Sequence, residues 1–459
     1  MPSFIQKDPS SFRDPSGFVF QKDYLVYRQV NKDFKDHFDF FISSGCYKKL
    51  ADADLLIPHQ EIKENFTGDS NWYTTLLPEQ IRFISYPYEW SFDMLKDAAL
   101  LTLSIAQKSI ASGMILKDAT PFNIQWHNGK LVFIDSLSFE RYNEELPWIA
   151  YRQFCECFLS PLLLMHHTKI SLHSLLLAYP EGIPLAVTQS LLPWKSKFSF
   201  HTYLHVHLQA SYAGKSAKAN QKVSFSKKKM LNLLLSLETL IKKLKSPSKP
   251  TTWSAYYEEA SQRNDYVERK KELISSWVSE LSDIKDAIDT GANDGIFSEV
   301  LAAKNIFAIA ADADPLCINN LYKNIKALEK QNILPLIIDF SNPSPAIGLN
   351  NTERKTFQER VNTDMVFALA IIHHLVIGKN IPFASIANQF CKYTKKYLII
   401  EFVPKADEKI QQMLKDKPDI YTNYSAEKFE KEFCVFFNIV KKQEIGSSGR
   451  VLYLMAKDE

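Results

Sequence analysis

No apolar run in this 459-residue sequence approaches the roughly 18–20 residues that a membrane-spanning helix needs, so nothing in it reads as a transmembrane segment. An excess of one charge is also missing. Lys and Arg number 55 against 52 Asp and Glu, a net charge of +3, which is too mild to demand a nucleic-acid partner. Cysteines number only six, at positions 46, 155, 157, 317, 391 and 434. Cys155 and Cys157 are the one close pair, and no second pair completes a zinc site. His166 and His167 lack a third ligand nearby, so no metal is expected there. Scattered thiols of this kind are expected to stay reduced. Met1 to Arg13 is polar and has no apolar stretch of a secretion signal, so a cytoplasmic protein is expected. Internal repeats and long low-complexity tracts are absent. What is present is a globular composition, 46% hydrophobic and 13% aromatic, in a chain long enough for two or three domains.

The most informative stretch is Ala287 to Gly295. Ala287-Ile288 reads as a short apolar strand entering the turn Asp289-Thr290-Gly291-Ala292-Asn293-Asp294-Gly295, and a helix-compatible run from Ile296 to Ala302 follows. The next apolar strand, Ile306 to Ala311, ends on Asp312. An acid about 20 positions past such glycines is where a nucleotide-binding βαβ unit grips ribose hydroxyls. The turn is itself acidic, which suits a pyrophosphate poorly. It suits a ligand with an adenosine end and a cationic amino-acid end.

These residues resemble the first motif of class I, Rossmann-like S-adenosylmethionine-dependent methyltransferases, Asp-x-Gly-x-x-x-Gly, matched by Asp289, Gly291 and Gly295. The resemblance covers the last 200 residues or so and implies S-adenosyl-L-methionine as cofactor. It places the ribose at Asp312, the adenine amine at Asp339 and an apolar wall for the ring at Phe340, with Asn293 in the glycine turn. Further apolar runs at Ile333–Ile338, Met365–Ile372 and Tyr397–Phe402 alternate with helical segments at Pro315–Leu328, Pro382–Tyr393 and Ala426–Phe437. That alternation predicts a parallel sheet covered on both faces. Phe437–Gln443 and Val451–Ala456, joined by a Gly/Ser cluster, predict a closing antiparallel hairpin. The expected fold is α/β: a seven-stranded Rossmann-like sheet with a C-terminal hairpin, preceded by an α+β domain. His373 and His374, leaving the fourth strand, are candidate bases. They are equally candidates for packing or helix-cap residues. Asp339 reads alternatively as a turn-forming Asp, and Asp364 as structural. Glu401 and Pro404 line an acceptor pocket or mark a plain strand exit.

A second signature lies upstream. Asp118 and Asn123 stand five positions apart, and a hairpin with an Asn128-Gly129 turn then delivers Asp135. This layout resembles the catalytic loop of protein kinases and aminoglycoside phosphotransferases, over residues 15–200. The resemblance implies that Asp118 orients the acceptor hydroxyl while Asn123 and Asp135 hold Mg²⁺ with ATP, if that site is active. The departures are a missing Gly-rich loop, Arg28 where a nucleotide-binding lysine is expected, Ser136-Leu137 after Asp135, and no catalytic-loop His. The other reading of Asp118 and Asn123 is turn capping.

Ten lysines against Glu238 alone fall between Lys215 and Lys249. Within them, leucines at helical spacing mark an amphipathic helix over Met230–Leu244. The domains expected are 1–210, kinase-like and degenerate; 211–250, a basic helical connector that is solvated or contacts an anionic surface; and 251–459, the methyltransferase. Trp253 to Glu280 reads as a helical preface packed over the cofactor site. Whole-chain phrases such as Phe83 to Ser91 and Ile399 to Lys405 resemble bacterial two-part methyltransferase proteins, some with a nodulation-protein label. Three functions follow: a methyltransferase whose N-terminal domain binds or selects an acceptor, a bifunctional phosphotransferase and methyltransferase, or a non-catalytic adaptor. The intact Asp289, Gly291, Gly295 and Asp312 favour the first. No motif identifies the acceptor.

Overall fold

The computed structural model describes residues 5–212, 225–251, 265–415 and 418–458. The chain divides into two compact units, Met1–Ser248 with Ala346–Lys355, and Lys249–Pro345 with Thr356–Glu459. Among the described residues, no helix is long and apolar enough to cross a membrane.

The first unit opens with an antiparallel sheet of five strands: β1 (Gln6–Lys7), β2 (Gly17–Lys22), β3 (Leu25–Asn31), β4 (His59–Ile62) and β5 (Trp72–Pro78), in the order β1-β2-β3-β5-β4. The helix Phe92–Ala111 follows, started by Ser91, whose side chain accepts from the Met94 amide. Its buried positions Leu95, Ala98, Ala99, Thr102, Leu103, Ala106 and Ile110 recur at three- and four-residue spacing, so one stripe faces the core. β6 (Met114–Leu116) leads into the loop with Asp118 and Asn123. The hairpin of β7 (Ile124–His127) and β8 (Lys130–Phe133) then returns the chain to Asp135, and β9 (Phe139–Arg141) pairs with β6. The turn of that hairpin needs two left-handed residues. Asn128 (φ 48°) and Gly129 (φ 84°) supply them.

The basic segment read as a connector is only partly one. Helix Lys227–Lys243 belongs to the first unit, with Met230, Leu234, Leu237, Leu240 and Ile241 buried. Lys96 Nζ, from helix Phe92–Ala111, donates to the carbonyls of Lys242 (3.0 Å) and Leu244 (2.8 Å) and holds its C-terminal end. The leucine stripe is what docks it. Lys215, Lys218 and Lys222 lie outside the described residues.

The second unit is a seven-stranded sheet: β10 (Asp286–Thr290), β11 (Phe307–Asp312), β12 (Ile333–Ile337), β13 (Thr363–Ala368), β14 (Thr394–Phe402), β15 (Phe437–Glu444) and β16 (Val451–Lys457). Its order is β12-β11-β10-β13-β14-β16-β15. β10 to β14 are parallel, and β16 enters antiparallel between β14 and β15. This is the doubly wound sheet with a closing hairpin that the apolar runs predicted. Two boundaries differ most. β13 ends at Ala368 rather than Ile372, because its pairing with β14 stops at Ala368–Ile400 and Ala370 turns left-handed (φ 52°). His374–Gly378 then forms one wide helical turn. Helix Ala426–Phe433 stops short of Phe437, which starts β15.

Of the segment read as a helical preface over the cofactor site, Tyr266–Glu280 is helical, and none of it lines the cleft described below. Its Ile274, Trp277 and Val278 enter one core cluster with Ala287, Phe297, Leu301, Ala308 and Phe367. Trp253, Tyr256 and Tyr257 of that preface lie outside the described residues.

Candidate functional site

In a parallel sheet, ligands gather at the carboxyl ends of the strands where the strand order reverses. Here β10 lies between β11 and β13, and a cleft opens at those ends. It is lined by Gly291 and Asn293 after β10, Asp312 and Ala313 at the end of β11, Ile338, Asp339 and Phe340 after β12, and Leu369, Ala370, Ile371, His374, Leu375 and Lys379 after β13.

The turn after β10 is built from left-handed residues, with Gly291 at φ 81°, Asn293 at 48° and Gly295 at 81°. The amides of Gly291 and Ala292 both donate to the Ala311 carbonyl at 2.8 and 3.0 Å, which folds the turn against β11. At Gly295 a Cβ would stand 2.6 Å from Leu321 Cδ1, so a larger residue there would have to displace Leu321 as well as adopt a left-handed φ, and glycine starts the helix Ile296–Ala302 with neither cost. At Gly291 a Cβ would meet Ile371 Cδ1 at 3.4 Å, across the cleft mouth.

Asp312 is fixed before any ligand is considered. Its Oδ2 accepts from the Asn293 amide at 2.9 Å, and its Oδ1 from the Asp314 amide at 2.8 Å. Burial raises its pKa, while those amides act to lower it. Each oxygen keeps a lone pair for a hydroxyl donor. Asp339 accepts from the Ser341 amide (2.8 Å) and Ser341 Oγ (2.6 Å), an Asx-type turn, and Lys379 Nζ lies 3.9 Å from it. Phe340 is buried and packs edge-on against Phe357 and Tyr393, at 6.2 and 6.3 Å between ring centres.

Asp289 and Gly295 are not in the lining. Asp289 is buried behind the turn, accepts from Ser298 Oγ at 2.7 Å, and has its pKa pushed up by burial to about 6. It supports the turn rather than facing the cleft. The two histidines also part. His374 lines the cleft, and burial lowers its pKa to about 4. His373 is not in the lining. It is 2% exposed, its Nδ1 has no hydrogen-bond partner, and burial followed by the charges of His374, Arg450 and Lys270 lowers its pKa far below the usual value. Asp364 sits at the opposite end of its strand and accepts from the Lys285 amide at 2.9 Å, a structural tie between β10 and β13.

In the first unit, Asp118, Asn123 and Asp135 are joined in one hydrogen-bonded network. Asn123 Nδ2 donates to Asp118 Oδ2 (3.0 Å) and to Ser138 Oγ (3.3 Å), and Ser138 Oγ donates to Asp135 Oδ2 (2.8 Å). The remaining oxygens have partners as well. Gln153 Nε2 donates to Asp118 Oδ1 at 2.7 Å. Asp135 Oδ1 accepts from the Leu137 amide and pairs with Arg28, both at 2.8 Å. Burial first, then the charge of Asp135, raises the pKa of Asp118. Among the described residues, no group of three or more His, Cys, Asp or Glu is arranged to hold a metal ion.

Compared with known proteins, the chain is 33% identical over 467 residues to the nodulation protein NoeA of Rhizobium meliloti (strain 1021), covering 98% of this chain and 96% of that protein. The chain belongs to the NoeA family. No family model matches it. Among solved structures, N-methyltransferase NodS from Bradyrhizobium japonicum WM9 aligns at TM-score 0.32 and 12% identity, over 43% of this chain and 98% of that one. The bifunctional kinase-methyltransferase WbdD aligns at TM-score 0.30 and 15% identity, over 47% and 45%. Scores this low do not bear on the fold of the NoeA-family chain, which rests on its own strand order.

One feature of this NoeA-family chain escaped the sequence reading. Lys270 Nζ is buried 2.7 Å from Glu401 Oε2 at the end of β14. Tyr266 Oη donates to Glu401, and Arg450 NH1 lies 3.5 Å from Glu401 Oε1. Burial works to raise the Glu401 carboxyl, but Lys270 and Arg450 outweigh it and hold its pKa low. The signal was available. Val267, Lys270, Ile274 and Trp277 fall on one helical stripe, and a lysine in an apolar stripe needs a buried partner.

Proposed function

We propose that the second unit binds S-adenosylmethionine and that the protein is an S-adenosylmethionine-dependent methyltransferase whose first unit binds or selects the acceptor. The observation that carries this reading is the convergence of Gly291, Asn293, Asp312, Asp339 and Phe340 in one cleft at the carboxyl ends of β10, β11 and β12. When bound, the cofactor supplies a methyl group already activated on a sulfonium.

The chain's own residues would do the rest. Asp312, held by two backbone amides, accepts from the ribose hydroxyls. Asp339 accepts from the adenine amine, and the Phe340 face covers the ring. The left-handed glycine at 291 lets the backbone approach the ligand closely. Methyl transfer asks mainly for alignment, so positioning supplies most of the rate. His374 is neutral near pH 7 because burial depresses its pKa to about 4; it stands at the cleft where a base would act, but that low pKa makes it a weak one for an acceptor that must lose a proton. His373, turned out of the lining, is left with a packing role.

For the first unit, acceptor binding fits better than phosphotransfer. Arg28 already neutralises Asp135, the carboxylate that Mg²⁺ and ATP would require. Co-crystallisation with S-adenosylhomocysteine tests the reading. The nucleoside should lie between Asp312 and Phe340, and a ligand bound elsewhere overturns it.

A further inference from the structure

Between Gly182 and Leu237 the chain has no Asp or Glu, but it has eight lysines, at 195, 197, 215, 218, 222, 227, 228 and 229. Among the described residues of the first unit, the most exposed large aromatic side chains after Tyr24 lie in this acid-free stretch. Trp194 is 66% exposed, Phe198 77% and Phe200 73%.

This exposure is built in. Ser196, between Lys195 and Lys197, is buried and hydrogen-bonds His207 Nε2 through its hydroxyl at 2.8 Å. That anchor fixes the 194–198 turn with Trp194 and Phe198 outward, their rings edge-to-face at 5.4 Å. Phe200, two residues past that turn, lines a shallow groove with Leu204 and with Lys229, Leu233 and Leu235 of helix Lys227–Lys243. The lysines opening that helix stand at the positive end of its dipole, where local electrostatics disfavour them.

Exposed Trp and Phe interleaved with lysine, in a stretch of sequence without Asp or Glu, have the chemistry of a headgroup-level membrane contact. We propose that this face of the first unit docks on a membrane surface rich in anionic lipid, its aromatics entering the headgroup layer and its lysines pairing with lipid phosphates. The partner is a bilayer surface, and no spanning segment is involved.

Co-sedimentation of the full chain with vesicles tests this, using phosphatidylcholine alone or mixed with phosphatidylglycerol. The expected result is binding only to the phosphatidylglycerol vesicles, falling as salt rises. Trp194→Ser with Phe198→Ser should weaken partitioning by about tenfold or more. Lys195→Glu with Lys197→Glu should weaken it by at least about fivefold per lysine at low salt. Both double variants change exposed side chains, and unchanged melting temperatures would show that the fold is kept. Equal binding to both vesicle types, no binding to either, or full binding by both variants overturns the proposal. Absence of vesicle binding together with saturable binding of a single-stranded RNA, or with self-association lost in the aromatic variant, assigns the face to nucleic acid or to a second copy and overturns it equally.

Discussion

Asp312 and Asp135 are both carboxylates delivered by the end of a strand, and the chain treats them in opposite ways. Asp312 is held by two backbone amides and faces a cleft. Asp135 is paired with Arg28 and further held by Ser138 and the Leu137 amide. Backbone amides orient a carboxylate without neutralising it, whereas a guanidinium supplies the countercharge a ligand would have brought. Of these two acids, the one left without a countercharge from the protein is the one that marks a site. By that criterion the second unit keeps a place for a ligand and the first has filled its own.

The largest effect is expected where a fully buried carboxylate loses its nearest charged partner. Lys270→Met should destabilise the protein by about 3 kcal/mol in urea unfolding, the low end for breaking a buried pair because Arg450 stays near Glu401. Lys270→Met combined with Glu401→Gln should recover much of that loss. A single variant as stable as the parent would mean that Glu401 is not held by Lys270.

Arg28→Met sharpens the contrast from the other side. Losing the Asp135 partner should cost about 1–3 kcal/mol. The unaltered protein should show no thermal shift with Mg²⁺ and ATP, since the position is taken. A clear shift would place the two acids in one class and break the comparison.

A smaller, pH-dependent effect is expected at Asp289. Burial lifts its pKa from 3.8 to about 6, so the native state holds that proton more tightly than the unfolded chain does. The resulting stabilisation is complete below about pH 4 and is lost as pH rises through about 6. The stability of the parent relative to Asp289→Asn should therefore increase as pH falls from 7 to 4. A difference that is flat with pH would show that Asp289 titrates normally.

Much of the second unit was legible because its strands are buried on both faces and read as unbroken apolar runs. The turn was legible because left-handed positions favour glycine and asparagine, and Gly291, Asn293 and Gly295 occupy them. What could not be read was which acids face the ligand. Asp289 and Asp312 look alike in sequence, but Ser298 draws the first behind the turn while the second ends its strand at the cleft. Likewise His373 and His374 are adjacent, and only the fold decides that one lines the cleft. Arg28 was legible as a departure from a pattern. Its pairing with Asp135, more than a hundred residues away, needed the tertiary structure.

The most direct test is calorimetric titration of the full chain with S-adenosylmethionine, alongside a folded Asp312→Ala variant. The parent should bind one equivalent, and the variant should bind more weakly by about 1.5–3 kcal/mol, the range for a lost hydrogen bond to a charged group. Absence of binding by the parent, or equal affinity in the variant, would contradict the assignment of the cleft.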